Sequence, residues 1–121
     1  MNDIETRADL DLMLRRFYEK LLADERIAYI FTDVAKIDLE THLPKIGNFW
    51  EMSLLGTGSY STNVMRVHMD LHEQTSLKPE HFNIWLDHFY SVTDSLFAGP
   101  VAEMAKTRAL SIATVMQIKM S

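Results

Sequence analysis

The sequence predicts an all-α domain, and three observations carry that expectation. Apolar residues recur at spacings of three and four along most of the chain, the period of one helix face. Glycine and proline number only four and three in 121 residues, little material for the many turns of an all-β fold. No segment reads as a convincing strand. Hydrophobic residues make up 47% of the chain, so a packed core is expected rather than disorder. The length suits a single domain over residues 1–121.

Leu10, Met13, Leu14, Phe17 and Leu21 lie on one face of a first helix, with charges between them. Thr6, followed three residues later by Asp9, marks its start with a capping signal. A short helix is expected over Arg26 to Phe31. Pro44 suits the first turn of a helix, where its missing N–H is no loss, and it disfavours helical geometry at Leu43. The next helix is therefore predicted to begin near Pro44. It runs through Ile46, Phe49, Trp50 and Leu54 and stops at Gly56 and Gly58. On that reading His42 sits just before the helix, or in a separate turn, with freedom to swing. Residues 56–63 read as a loop, and a short helix from Val64 to Leu71 carries His68. Pro79 opens a helix striped by Phe82, Trp85, Leu86, Phe89 and Leu96, and Gly99-Pro100 stops it. The last helix spans about Val101 to Lys119, with Val101, Met104, Ala105, Ile112, Val115 and Met116 facing inward. The total is five or six helices.

Composition excludes several functions. Twelve basic and 17 acidic residues leave a net charge of −5, against a dedicated nucleic-acid binder, whose affinity depends on a basic face. The absence of cysteine removes disulfides, thiolate metal sites and cysteine nucleophiles. No apolar run approaches the roughly 20 residues needed to cross a bilayer. The start, Met1-Asn2-Asp3-Ile4-Glu5, lacks the basic-then-apolar order of a signal peptide, so a cytoplasmic location is expected. There is no glycine-rich phosphate loop, and spacing alone supports no Ser-His-Asp arrangement.

Five histidines, His42, His68, His72, His81 and His88, are the candidate ligands, and each alone is more often a surface or satisfied polar residue. His68 and His72 are four apart and share a helix face, half of a zinc site for which no further ligands stand at motif spacing. Phe17, Trp50 and Trp85 fit core stripes, and Tyr18 borders one. Eight methionines suit a soft core. Two readings stay open at this point: a helical domain that ligates a cofactor, and a cofactor-free helical interaction module.

Longer runs separate them. Phe17-Tyr18, then His42-Leu43-Pro44-Lys45-Ile46-Gly47-Asn48-Phe49-Trp50, His68-Met69-Asp70-Leu71 and Glu80-His81-Phe82-Asn83-Ile84-Trp85-Leu86 follow one another in order. Together they resemble the truncated haemoglobins of the third group, over nearly the whole chain from about Leu10 to the last helix. The paired-glycine motifs of the other truncated groups are missing. The resemblance implies a shortened globin fold, a two-on-two helical sandwich around one haem b. It implies His68 as the proximal iron ligand, matched on a His-x-x-Leu run that His72 lacks, with Tyr18, His42 and Trp85 on the opposite face.

The chemistry suits those roles. A neutral imidazole can ligate iron through one nitrogen while the other donates to a backbone carbonyl such as that of Val64. The Tyr18 hydroxyl and the Trp85 indole can both donate hydrogen bonds to dioxygen. His42 donates to the ligand, gates access or points outward. Phe17, Phe31, Ile46, Phe49, Val64, Met65 and Phe82 form the apolar wall, and Lys45, Tyr60 and Arg66 are placed at the propionates. The implied activity is binding of dioxygen, nitric oxide or carbon monoxide. Tight retention suits nitric-oxide dioxygenation or peroxide chemistry better than bulk transport. Either reaction needs a separate reductase, since the chain carries no flavin or nicotinamide motif.

Overall fold

The computed structural model describes residues 1–34, 38–56 and 78–120, and no strand occurs among them. The described elements are α1 (Arg7–Ala23), a π-helical turn (Ile30–Val34), α2 (Leu39–Leu55), α3 (Pro79–Leu96) and α4 (Pro100–Met120). Helix α1 packs on both α2 and α3, α3 packs on α4, and α2 meets α4 at its edge. Two helix pairs thus lie one over the other, the expected two-on-two layout.

Local signals explain most helix ends. The Thr6 hydroxyl accepts the Asp9 N–H at 3.2 Å, and the Asp9 carboxylate accepts the N–H groups of Glu5 and Thr6 at 2.9 and 3.1 Å. This is a capping box with aspartate in the usual glutamate position. Leu10, Met13, Leu14, Phe17 and Leu21 are buried as the periodicity predicts, and Tyr18 joins them. Pro79 is the first residue of α3, and Gly56 closes α2 in the left-handed conformation that glycine tolerates best, at φ +73°.

Three expectations are corrected. Helix α2 begins at Leu39, five residues before Pro44, so His42 lies inside a helix rather than ahead of one. Asp38 starts it, its carboxylate accepting the Glu40 N–H at 3.2 Å and the Thr41 hydroxyl at 3.1 Å. Pro44 deprives only the Glu40 carbonyl of its usual donor, and exposed Glu40 can satisfy that carbonyl with water.

The helix expected over Arg26 to Phe31 is displaced to the Ile30–Val34 turn. Asp24 captures the Arg26 N–H at 3.0 Å, which turns the chain before a regular helix can start. In α4, Met104 and Val115 are 43% and 44% exposed rather than inward. Ala102, Ala105, Ala109, Ala113 and Met116 form the buried stripe, because small side chains let α4 lie close against α3.

The core is centred on Phe17 of α1 and Phe89 of α3, whose rings meet edge to face at 5.3 Å. Trp50 of α2 and Trp85 of α3 both stack on Phe89, at 5.1 and 5.7 Å. Burying each such ring contributes about 1.5–3 kcal/mol. The Arg7 guanidinium ties α1 to α2, donating to Asn48 and Glu51 at 2.8 Å and to the Pro44 carbonyl at 3.1 Å. It lies where a β-carbon on Gly47 would stand, 2.6 Å from its nearest nitrogen, so the Gly-Asn pair of the Ile46–Trp50 run is a seat for arginine. Asp3 anchors the start of the chain by accepting the N–H groups of Val101 and Ala102 at 2.9 and 2.8 Å, a cap for α4 supplied from nearly a hundred residues away.

Candidate functional site

Between the two helix pairs opens a crevice whose empty space, open mouth included, is about 840 Å³. Its wall draws on every described helix: Phe17 and Tyr18 from α1, Ile46, Phe49 and Trp50 from α2, Phe82 and Trp85 from α3, and Ile112, Ala113 and Met116 from α4. Ile27, Ile30 and Phe31 close it from the segment between α1 and α2. Phe31, Ile46, Phe49, Trp85 and Ile112 remain only partly buried. Apolar side chains left half-covered around a cleft are matched to an apolar occupant. A flat, mostly hydrocarbon ring fits this lining, and the few polar groups fall at defined points.

Two of those points are Tyr18 and His42. The Tyr18 hydroxyl and His42 Nε2 are 2.9 Å apart, with the rings edge to face at 5.1 Å. Tyr18 is buried on α1 while His42 is half-buried on α2, so their bond spans the two helices. The proton on it belongs to either group, according to the histidine tautomer. If His42 carries it, the Tyr18 oxygen is the acceptor of that bond. Trp85 packs edge-on against Phe17 at 5.5 Å, and among the described residues its indole N–H meets no acceptor.

The third polar point is His81, the third residue of α3 and only 7% exposed. Its Nδ1 accepts the Lys78 N–H at 3.1 Å, and its Nε2 lies 3.2 Å from the Tyr29 hydroxyl. Burial pulls its pKa below the ordinary histidine value, with Lys78 adding to the shift and Glu80 opposing it.

Comparison with known proteins settles the family. No family model matches the chain. It is 31% identical over 108 residues to the group 3 truncated haemoglobin ctb of Campylobacter jejuni, an alignment covering 87% of this chain and 83% of that protein. The chain belongs to the group 3 truncated haemoglobins. The crystal structure of the group III truncated haemoglobin from Campylobacter jejuni superposes with a TM-score of 0.89 at 26% identity, covering 100% of this chain and 96% of that one. The group 1 truncated haemoglobin GlbN of Synechocystis is 35% identical over 75 residues, 61% of this chain and 58% of that protein. The fold is therefore the shortened globin fold, as the resemblance implied.

In this truncated haemoglobin the crevice gathers Phe17, Tyr18, Phe31, Ile46, Phe49, Phe82 and Trp85, seven of the residues selected from sequence. His42 stands behind Tyr18 as its hydrogen-bond partner. Lys45 is exposed on α2 and does not line the crevice. Tyr60, Val64, Met65, Arg66 and His68 lie outside the described residues, as does His72. Among the described residues no cluster of three potential ligands could hold a metal ion, and no helix is long and apolar enough to cross a membrane.

Sequence reasoning missed Ile27, Ile30 and His81 as crevice residues, and took Trp50, Ile112 and Met116 for core alone. For His81 a signal existed. It stands two residues after Pro79, the slot where a capping-box acceptor belongs.

Proposed function

We propose that this chain holds haem b in the crevice, with His68 as the proximal ligand, and binds diatomic gases there. The single observation that carries the reading is the crevice itself. Among its described lining residues, an apolar cleft bounded by partly covered aromatics holds polar groups at Tyr18, Trp85 and His81, in a chain of the truncated haemoglobin family. Its relatives are haemoglobins, which supports haem as the occupant. Haem supplies the iron at which dioxygen, nitric oxide and carbon monoxide are held and electrons exchanged. The protein supplies everything else.

Phe31, Ile46, Phe49 and Phe82 bury the ring and exclude water from it. The Tyr18 hydroxyl and Trp85 indole donate to the acceptor end of a diatomic ligand. His42 serves from behind, its Nε2 held 2.9 Å from the Tyr18 hydroxyl and so fixing that hydroxyl at the crevice wall. Two donors retain dioxygen, which favours chemistry on it, such as oxidation of nitric oxide or use of peroxide with electrons from a separate reductase, over bulk transport. Lys45, Tyr60 and Arg66 supply the cations and hydroxyl that the propionates need.

The test is the visible spectrum of the purified protein during titration with haemin, followed by reduction and carbon monoxide. The reading predicts a Soret band that saturates at one haem per chain and shifts with carbon monoxide. Absence of saturation returns the chain to the class of cofactor-free helical interaction modules.

A further inference from the structure

His81 has no role in the chemistry above, yet it is buried in the crevice wall with both ring nitrogens engaged. Because the Lys78 N–H points at Nδ1, that nitrogen carries no proton. The neutral ring therefore keeps its hydrogen on Nε2 and donates it to the Tyr29 oxygen. At the third position of α3 the imidazole thus stands in for the glutamate or glutamine of a capping box, holding the backbone N–H of the residue that starts the helix. The Lys78 side chain has no acceptor to return the bond; its carbonyl instead accepts the His81 backbone N–H at 2.9 Å, so the ring and backbone of His81 together hold this end. Tyr29 belongs to the other side of the cleft, immediately before the Ile30–Val34 turn. One ring therefore joins the Ile27 and Ile30 wall to the Phe82 and Trp85 wall.

We propose that His81 is an acid-sensitive latch on the crevice: uncharged, it clamps the first turn of α3 to the Tyr29 segment, and protonated, it releases both and loosens the hold on bound haem. The last clause rests on the haem-binding reading; the latch does not. A proton on Nδ1 would face the Lys78 N–H donor to donor and would place a cation among apolar side chains. Among the described residues the ionisable groups around the ring are Tyr29 from the α1–α2 connection and Lys78 and Glu80 from the start of α3 itself. Among the described residues α1 contributes Tyr18 to the crevice, with His42 of α2 behind it, and α4 contributes only groups that do not titrate. Burial lowers the pKa of His81, and Lys78 outside the pocket adds to it against Glu80. A depressed histidine pKa contributes stability that is complete above the unfolded value of about 6.5 and is lost as pH falls through the folded value.

His81→Gln separates the cap from the charge. Glutamine can accept the Lys78 N–H and donate to Tyr29 but does not titrate, whereas His81→Phe fills the wall and offers neither bond. Thermal unfolding of the three proteins would be followed from pH 8 to pH 4.5, together with the rate at which the haem-loaded forms give up haem to excess apoglobin. Expected is near-equality of wild type and His81→Gln at pH 8. As pH falls from about 6.5 to the folded pKa the wild type loses stability relative to His81→Gln by up to about tenfold in the folding equilibrium per pH unit, and haem loss accelerates as pH passes the folded value. His81→Phe is weakened at every pH. Parallel curves for wild type and His81→Gln overturn the latch.

The unfolding curves need no cofactor, so failure of haem uptake sinks the haem reading and leaves the latch to be judged on its own. Should His81→Gln not fold, titration of the His81 ring in the unaltered protein by NMR decides. A ring that titrates below free histidine, in step with acid loosening, supports the latch, and one that titrates at or above 6.5 overturns it.

Discussion

Replacing Tyr18 with phenylalanine removes one hydroxyl from the crevice and little else. The ring keeps its edge contacts with Phe17 at 5.4 Å and Phe31 at 5.9 Å, so the wall stays filled. The 2.9 Å bond to His42 Nε2 and the donor offered to a ligand are among the interactions lost. His42 is half-buried and can turn toward water, so the stability loss is held to about 0.5–1.5 kcal/mol. That corresponds to a fall in melting temperature of roughly 2–8 °C for a domain of this length. At the ligand, one neutral hydrogen bond of about 0.5–1.5 kcal/mol corresponds to dioxygen release faster by roughly 2- to 13-fold. The His42 imidazole, if it turns its own N–H toward the ligand, would hold the effect to the low end. The Tyr18→Phe/His42→Leu double variant removes that substitute and should release dioxygen faster still. Stopped-flow displacement of dioxygen by carbon monoxide measures all three proteins. Unchanged release in both the single and the double variant would refute the placement of Tyr18 beside the ligand.

Other consequences are equally direct. His68→Ala should abolish the native Soret spectrum while leaving the helical circular dichroism in place, and a fully retained spectrum would count against His68 as the ligand. Asp3→Ala withdraws the acceptor of the Ile4, Val101 and Ala102 N–H groups and should cost about 1–2 kcal/mol by thermal melting, with no change in the loaded spectrum. Burial raises the Asp3 pKa, but the three backbone N–H groups outweigh it and the net shift is downward. The Asp3 contribution is therefore present above the unfolded carboxylate value of about 3.9 and lost as pH falls through the lower folded value, so the wild-type and Asp3→Ala melting curves should converge at strongly acid pH. Gly99→Ala forces a β-carbon to within 2.5 Å of the Asp3 side chain at a φ of +143°, and should cost about 1–3 kcal/mol. Part of that cost should vanish when Asp3 is already alanine, which a double-mutant melting series would show.

What could be read from the chain alone is what neighbours in sequence decide. The face of α1, the Thr6–Asp9 capping box, the start of α3 at Pro79 and the stop at Gly56 all depend on groups within about four residues of each other, and periodicity or a single side chain announces them. The family and the crevice aromatics were legible too, because runs such as Ile46–Trp50 and Glu80–Leu86 keep their residues in fixed local order. The start of α2 was not. Proline argues for a helix start wherever its missing N–H is harmless, and only the Asp38 cap, with exposed Glu40 beside water, allows Pro44 five residues inside.

Tertiary structure alone decided which face of α4 is buried, because a helix apolar on many sides turns inward whatever stripe its partner can approach closely, here alanine rather than Met104 and Val115. It also decided the bonds Tyr18 to His42 and Tyr29 to His81, across 24 and 52 residues. A hydroxyl or an imidazole can be satisfied in many ways, so its partner is set by which helices meet, and that depends on the packing of the whole core.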